Sequence, residues 1–165
     1  MADDKLQQKL IDYIEGAHAM EQSVSMMLDS MISTTDDPEL TKMLRHHKRE
    51  TERQEQRLRE RLDALGAGTS TRKQAQTLVS AMLKGTADQV RSDQAAKNAR
   101  DGYVTEHMEI AAYQLLERLA ERAGDTQTAE VARQNRAEEE AMAQKIDANW
   151  DRFLDLTLAQ NDIKA

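Results

Sequence analysis

Residues 102–113 read GYVTEHMEIAAY and set two glutamates, Glu106 and Glu109, inside an apolar helical pattern. Positions three apart are neighbours on a helix surface, separated by about 4.5 Å along the axis. Tyr103, Glu106, Ile110 and Tyr113 share one stripe, and Gly102, Glu106, Glu109, Tyr113 and Leu116 share the adjoining one. A solvated glutamate belongs on the face opposite Ile110 and Leu116, yet these two stand among them. Burying a carboxylate is costly unless it is paired or binds a metal, so the placement calls for a reason. A half-buried helix with both glutamates at the edge of its apolar face accounts for this stretch taken alone. The other helices repeat the pattern, and that repetition gives it weight.

The 165 residues fit one domain. Cysteine is absent, which excludes disulfides, zinc-thiolate sites and cysteine nucleophiles. The start, MADDKLQQKL, is acidic and polar, without the apolar segment of a signal peptide, and no run is apolar for the length of a membrane span. A cytoplasmic, soluble protein without a membrane partner is expected. The net charge of −7 disfavours general binding to nucleic-acid phosphates. Nine methionines, many alanines, one proline and six glycines, together with a helical apolar period, predict an all-α fold.

Four long helices are expected, at about 4–33, 38–65, 93–123 and 126–158. The seam of the first reads Leu10, Ile14, Ala17, Glu21, Val24, Leu28 and Met31, in alternating steps of four and three. Glu21 occupies a position that this pattern reserves for an apolar side chain, and His18 lies one turn before it. Asp37 is placed to cap the second helix, with Pro38 at its first position; Glu39 is then a first-turn acid that needs no function. Leu40, Met43, Leu44, Leu58, Leu62 and Leu65 mark the second helix, but His47, Glu50, Thr51 and Gln54 fill the middle of its seam. The charges from Arg45 to Arg61 otherwise read as a solvated face with i,i+4 pairs. Residues 66–92 make a long connection, with a short crossover helix expected over 72–84. Such a connection lets the second and third helices run parallel. Val131, Asn135, Glu138 or Glu139, Met142, Ile146, Trp150 or Asn149, and Phe153 mark the inner side of the fourth helix.

The chain contains an echo. HAMEQSVSMML around Glu21 is similar to EHMEIAAYQLL around Glu109, and about 29 residues separate Glu21 from Glu50 and Glu109 from Glu138 or Glu139. Two helical hairpins, each offering glutamates from both arms at mid-height, bring these carboxylates together at the bundle centre. Clustered carboxylates in a water-poor core repel, and divalent cations are the usual remedy. Oxygen-rich sites with some imidazole suit iron and manganese.

The segments DYIEGAHAMEQSV, MLRHHKRETERQEQRL, GYVTEHMEIAAYQLLERLAERAGD and EEEAMAQKI resemble the YciE/YciF family of ferritin-like stress proteins. They fall on all four long helices, and EHMEIAAY is the most specific of them. The resemblance implies a ferritin-like antiparallel four-helix bundle, a homodimer, and a di-metal carboxylate site. Carried over position by position, it implies metal ligands Glu21, Glu50, Glu106, Glu109 and Glu139. Glu138 and Glu140 remain alternatives on the fourth helix. Ferritin-like di-iron sites pair a glutamate with a histidine three residues later on two helices. Here Arg53 follows Glu50 and Met142 follows Glu139, so histidine is left to His47, His18 or His107.

Nothing matches a P-loop, a dinucleotide fingerprint or a nucleophile elbow, and the methionines read as core filler rather than as a copper or peptide surface. Two readings of function remain. One is an iron- or manganese-binding protein with weak oxidase or peroxide-scavenging activity. The other is a non-enzymatic bundle whose buried carboxylates form a metal-free polar network.

Overall fold

The computed structural model describes residues 2–67 and 94–163, all of whose regular structure is helical. The crossover helix expected over 72–84 lies outside the described residues. Five helices are present among them: α1 Ala2–Ser33, α2 Pro38–Ala64, α3 Gln94–Arg122, α4 Thr126–Asp147 and α5 Trp150–Gln160. No helix among the described residues is long and apolar enough to cross a membrane.

Local chemistry sets the helix ends. Asp37 caps α2 by accepting from Leu40 N at 2.8 Å, with Pro38 at the first position. That matches the sequence expectation and satisfies a donor that a helix start leaves orphaned. α3 ends where Gly124 turns at φ +72°, a left-handed conformation that suits glycine, and Asp125 N donates to Ala120 O at 2.9 Å. Asp125 then caps α4 through Thr128 N at 2.9 Å and also pairs with Arg61 of α2 at 3.0 Å.

The sequence pattern runs the last helix unbroken to about residue 158, whereas the chain breaks at Ala148–Asn149. Asn149 N reaches only three residues back, to Ile146 O at 3.0 Å, and its side-chain amide takes Lys145 O at 2.7 Å. An asparagine side chain that competes for the carbonyls of the preceding turn ends a helix in this way. α5 lies against α3, with Phe153 buried.

Side-chain pairs give the topology. α1 packs mainly on α2 and α3 on α4, with further contact of α1 to α3 and α2 to α4. Glu21 meets Tyr113, while Leu10 and Ile14 share a cluster with Leu116 and Ala120, so α1 and α3 run antiparallel. Gln54 meets Glu139 and Arg61 meets Thr128, so α2 and α4 also run antiparallel. α2 and α3 therefore run parallel across the diagonal, the arrangement of a ferritin-like bundle. One apolar cluster, which includes Leu10, Ile14, Leu58, Leu62, Leu116 and Ala120, fills one end. Two smaller clusters, around Met142 and Phe153 and around Val24 and Leu28, occupy the other. A polar layer lies between the ends.

Candidate metal centre

Each helix delivers polar side chains to that layer because they stand where its apolar stripe passes. On α1, Leu10, Ile14, Ala17, Glu21, Val24 and Leu28 are all buried, so Glu21 enters the core with its neighbours. On α2 the buried stripe is Leu44, His47, Thr51, Gln54 and Leu58. α3 contributes Glu106, Glu109 and Tyr113, and α4 contributes Asn135 and Glu139. Glu21, Glu109 and Glu139 have no exposed surface, and Glu106 and His47 are each 2% exposed.

His47 Nε2 lies 3.0 Å from Glu106 Oε1 and 4.0 Å from Glu139 Oε2. These three residues offer ligand atoms within 4.8 Å of one another, a grouping that can hold a metal ion. Beside them, Tyr113 OH donates to Glu21 Oε1 and accepts from Asn135 Nδ2 at 3.0 Å. Gln54 Nε2 donates to Glu139 Oε1 and, at 3.1 Å, to Glu138 Oε2. Several buried atoms are left over. Glu21 Oε2, Glu106 Oε2, Glu139 Oε2 and both oxygens of Glu109 have no hydrogen-bond partner, and neither ring nitrogen of His47 has an aligned one. Unsatisfied buried oxygens on four carboxylates in one layer are what a cation would relieve.

The protonation equilibria carry the same strain. Burial pushes the Glu21 carboxyl up to about 8, against the opposing bond from Tyr113 and the nearby charge of His47. Burial, followed by the charges of Glu106 and Glu21, takes Glu139 up to about 10. Glu109 is raised well above the carboxylate range by burial and then by Glu21, Glu139 and Glu106. Burial by itself would lower His47, but the facing carboxylates of Glu106, Glu50 and Glu139 bring it up to about 10. Without a cation the layer therefore holds protons.

Four of the five sequence-derived ligands, Glu21, Glu106, Glu109 and Glu139, share this layer. Glu50 stands at its flank, about 60° round the helix from His47. It is 15% exposed and faces His46 Nε2 at 3.3 Å and His47 Nδ1 at 3.9 Å. His47 is the histidine brought into the cluster. His18 pairs with Glu55 at 3.3 Å, and His107 is exposed, with its Nδ1 2.9 Å from Tyr103 O. Of the three neighbours on α4, Glu138 pairs with Arg57 and Glu140 with Arg136 in the solvated zone, leaving Glu139 inside. Tyr113, Gln54 and Asn135 took their places on inner stripes in the sequence but no role. Their signal was a hydrogen-bonding group at a position due to be apolar.

A family model described as a domain of unknown function, DUF892, matches residues 5–159. The chain belongs to this family. Among solved structures, the DUF892 chain is similar to a protein of Xanthomonas campestris pv. campestris, with a TM-score of 0.79 at 22% identity, covering 96% of this chain and 99% of that one. The Escherichia coli stress protein YciF matches with a TM-score of 0.71 at 20% identity, over 96% and 98% of the two chains. YcfI of Rhodopseudomonas palustris matches with a TM-score of 0.70 at 23% identity, over 86% and 92%. At these identities the likeness establishes the fold, and it agrees with the YciE/YciF resemblance in the sequence. The site stands on its own geometry.

Proposed function

We propose that this DUF892 protein holds a dinuclear iron or manganese centre between its four long helices. The observation that carries the reading is Glu109, a fully buried carboxylate with both oxygens unpartnered, set among three more buried carboxylates and an imidazole. An oxygen-rich set with one nitrogen donor suits iron or manganese. His47, Glu106 and Glu139 would hold one side of the centre, with Glu21 and Glu109 on the other. When bound, such metals supply one-electron chemistry toward dioxygen or peroxide.

The protein's own groups hold the ligands in place. Tyr113 occupies Oε1 of Glu21 and leaves Oε2 free, and Gln54 does the same for Glu139. Glu50, the fifth residue of the sequence-derived set, stands on the Nδ1 side of the imidazole at 3.9 Å, beyond hydrogen-bond reach. The larger apolar cluster closes one side of the layer to water.

Its placement as a stress-response protein rests on the likeness to the E. coli stress protein YciF. Assembly as a cytoplasmic homodimer is part of the proposal, and a monomer mass by light scattering at micromolar concentration would remove the dimer. Elemental analysis of protein purified without chelator tests the centre: the expected result is iron or manganese that is lost in a Glu21→Ala, Glu109→Ala double variant. Full metal content in that variant would break the assignment.

One observation favours a second reading. The His47–Glu106 pair and the bonds from Tyr113 and Gln54 give the layer a partial metal-free network. Protein that binds no iron or manganese on addition, yet keeps its helical signal, would establish that network as the layer's native state.

A further inference from the structure

On the far side of the carboxylate layer from the main apolar cluster, the helices line a cavity of about 460 Å³ that opens to solvent. That volume lies in the range of small-molecule sites and is about three times that of an apolar cavity known to take one benzene. Leu28, Met31, Met43, Leu44, Met142 and Phe153 supply its walls. Half of these are methionines, whose unbranched, polarisable side chains adapt to a guest. The inner end is different. His47 and Glu106 line it, and Glu106 Oε2 and the His47 ring nitrogens are the buried polar atoms without an aligned partner. Toward solvent the lining turns polar again, with Asp36, Asp37 and Asn98.

We propose that this chamber binds a neutral amphiphile, an unbranched primary alcohol, with its alkyl chain along the methionine walls and its hydroxyl turned in to His47 and Glu106. The walls ask for an apolar chain, since burying it there removes apolar surface from water. A plain hydrocarbon would leave the atoms at the inner end unsatisfied, which costs free energy. A carboxylate head would pass Asp36 and Asp37 at the mouth and, being an acceptor only, has no hydrogen to give Glu106 Oε2. A hydroxyl carries no charge, and it both donates and accepts, so it can serve Glu106 and His47 together. The walls are separate from the proposed metal centre, but the inner end shares His47 and Glu106 with it, so the inference goes beyond the metal reading and applies to the metal-free chain.

The test uses the full chain after chelation, titrated with 1-decanol, decane and decanoate. Binding is followed by calorimetry and by the fluorescence of Trp150. This is the chain's one tryptophan, and its ring centroid lies 6.3 Å from that of Phe153 in the chamber wall. Saturable binding of one decanol per chain is expected, with decanoate and decane each at least tenfold weaker. Ala99→Leu, which fills part of the chamber, should weaken decanol at least tenfold. Because overpacking can unfold a core, Met31→Phe at the half-buried rim gives a second blocked variant, with the same loss expected. No saturable binding, decanoate or decane binding as tightly as decanol, or undiminished binding in the folded variant would each overturn the proposal. Metal content is measured on separate untreated protein, so a failure here leaves the metal reading standing, and the converse also holds.

Discussion

At one end of the bundle Leu10, Ile14, Leu58, Leu62, Leu116 and Ala120 belong to a single continuous cluster, with Ala17, Ala129 and Ala132 letting the helices close in. At the other end the buried side chains divide into two smaller clusters beside a cavity of about 460 Å³. The connections differ in the same sense. At the filled end Gly124 turns α3 tightly into α4, and Arg61 ties Asp125 across to α2. At the hollow end α4 breaks and restarts as α5. The carboxylate layer is thus held firmly from one side and loosely from the other.

Core truncation should separate the two ends most strongly. Leu58→Ala, in the filled cluster, is expected to cost about 3–5 kcal/mol by urea denaturation, whereas Leu28→Ala, beside the chamber, falls nearer 2 kcal/mol. The difference arises because Leu28 already borders empty space. Equal losses at the two positions would erase the contrast.

The layer itself should respond to Glu109→Gln on the order of 1–3 kcal/mol, with a sign that depends on metal. In chelated protein at neutral pH the change removes a buried carboxyl that must take up a proton on folding, so melting temperature should rise. In metal-loaded protein it removes a ligand, and stability should fall, because binding energy is folding energy. A rise in both conditions would favour the metal-free network.

Next comes pH. The folded values of Glu21, Glu109, Glu139 and His47 all lie above those of the free groups. The folded, metal-free chain therefore binds more protons than the unfolded one from about pH 4.5 upward. Its stability from these groups is complete below that point and is lost as pH rises through about 8 for Glu21 and about 10 for Glu139 and His47. Glu50 and Asp125, whose values are lowered, act in the opposite sense at more acidic pH. Chelated protein should then be most stable near pH 5 and lose stability toward pH 8, at up to about 1.4 kcal/mol per pH unit for each such group. Metal loading should flatten or reverse that slope, since protons compete with the ion. A chelated protein whose melting temperature climbs from pH 5 to 8 would contradict the burial argument.

The smallest effects compare the helix ends. Asp125→Ala should cost about 1 kcal/mol as a lost cap, while Asn149→Ala should stay within about 0.5 kcal/mol. Matching losses in thermal melts would show the break at Ala148–Asn149 to be as firmly held as the filled end.

The sequence made the helices and most of the layer readable because burial writes itself as period. Glu21 was visible as an acid at an apolar step of α1, and Glu106 and Glu109 as a pair among hydrophobes. α2 was harder to read, since His47, Glu50, Thr51 and Gln54 are all polar and periodicity locates a stripe only to within a neighbouring position. Which of them faces inward depends on the rotation of α2 against α4, a tertiary quantity. The break before Trp150 was hidden for a similar reason. Asn149 fits a helix by spacing, and only its bond to Lys145 O ends one.

Arg57 shows how far the interior reaches. It grips Glu138, which shares the Gln54 amide with Glu139, so a guanidinium near the surface is linked through two side chains to the deepest acid of α4. In the sequence it is one more charge in a run where lysine, glutamine or glutamate would look interchangeable. The link removes that freedom. A change at position 57 is therefore felt at Glu139, a carboxylate with no exposed surface.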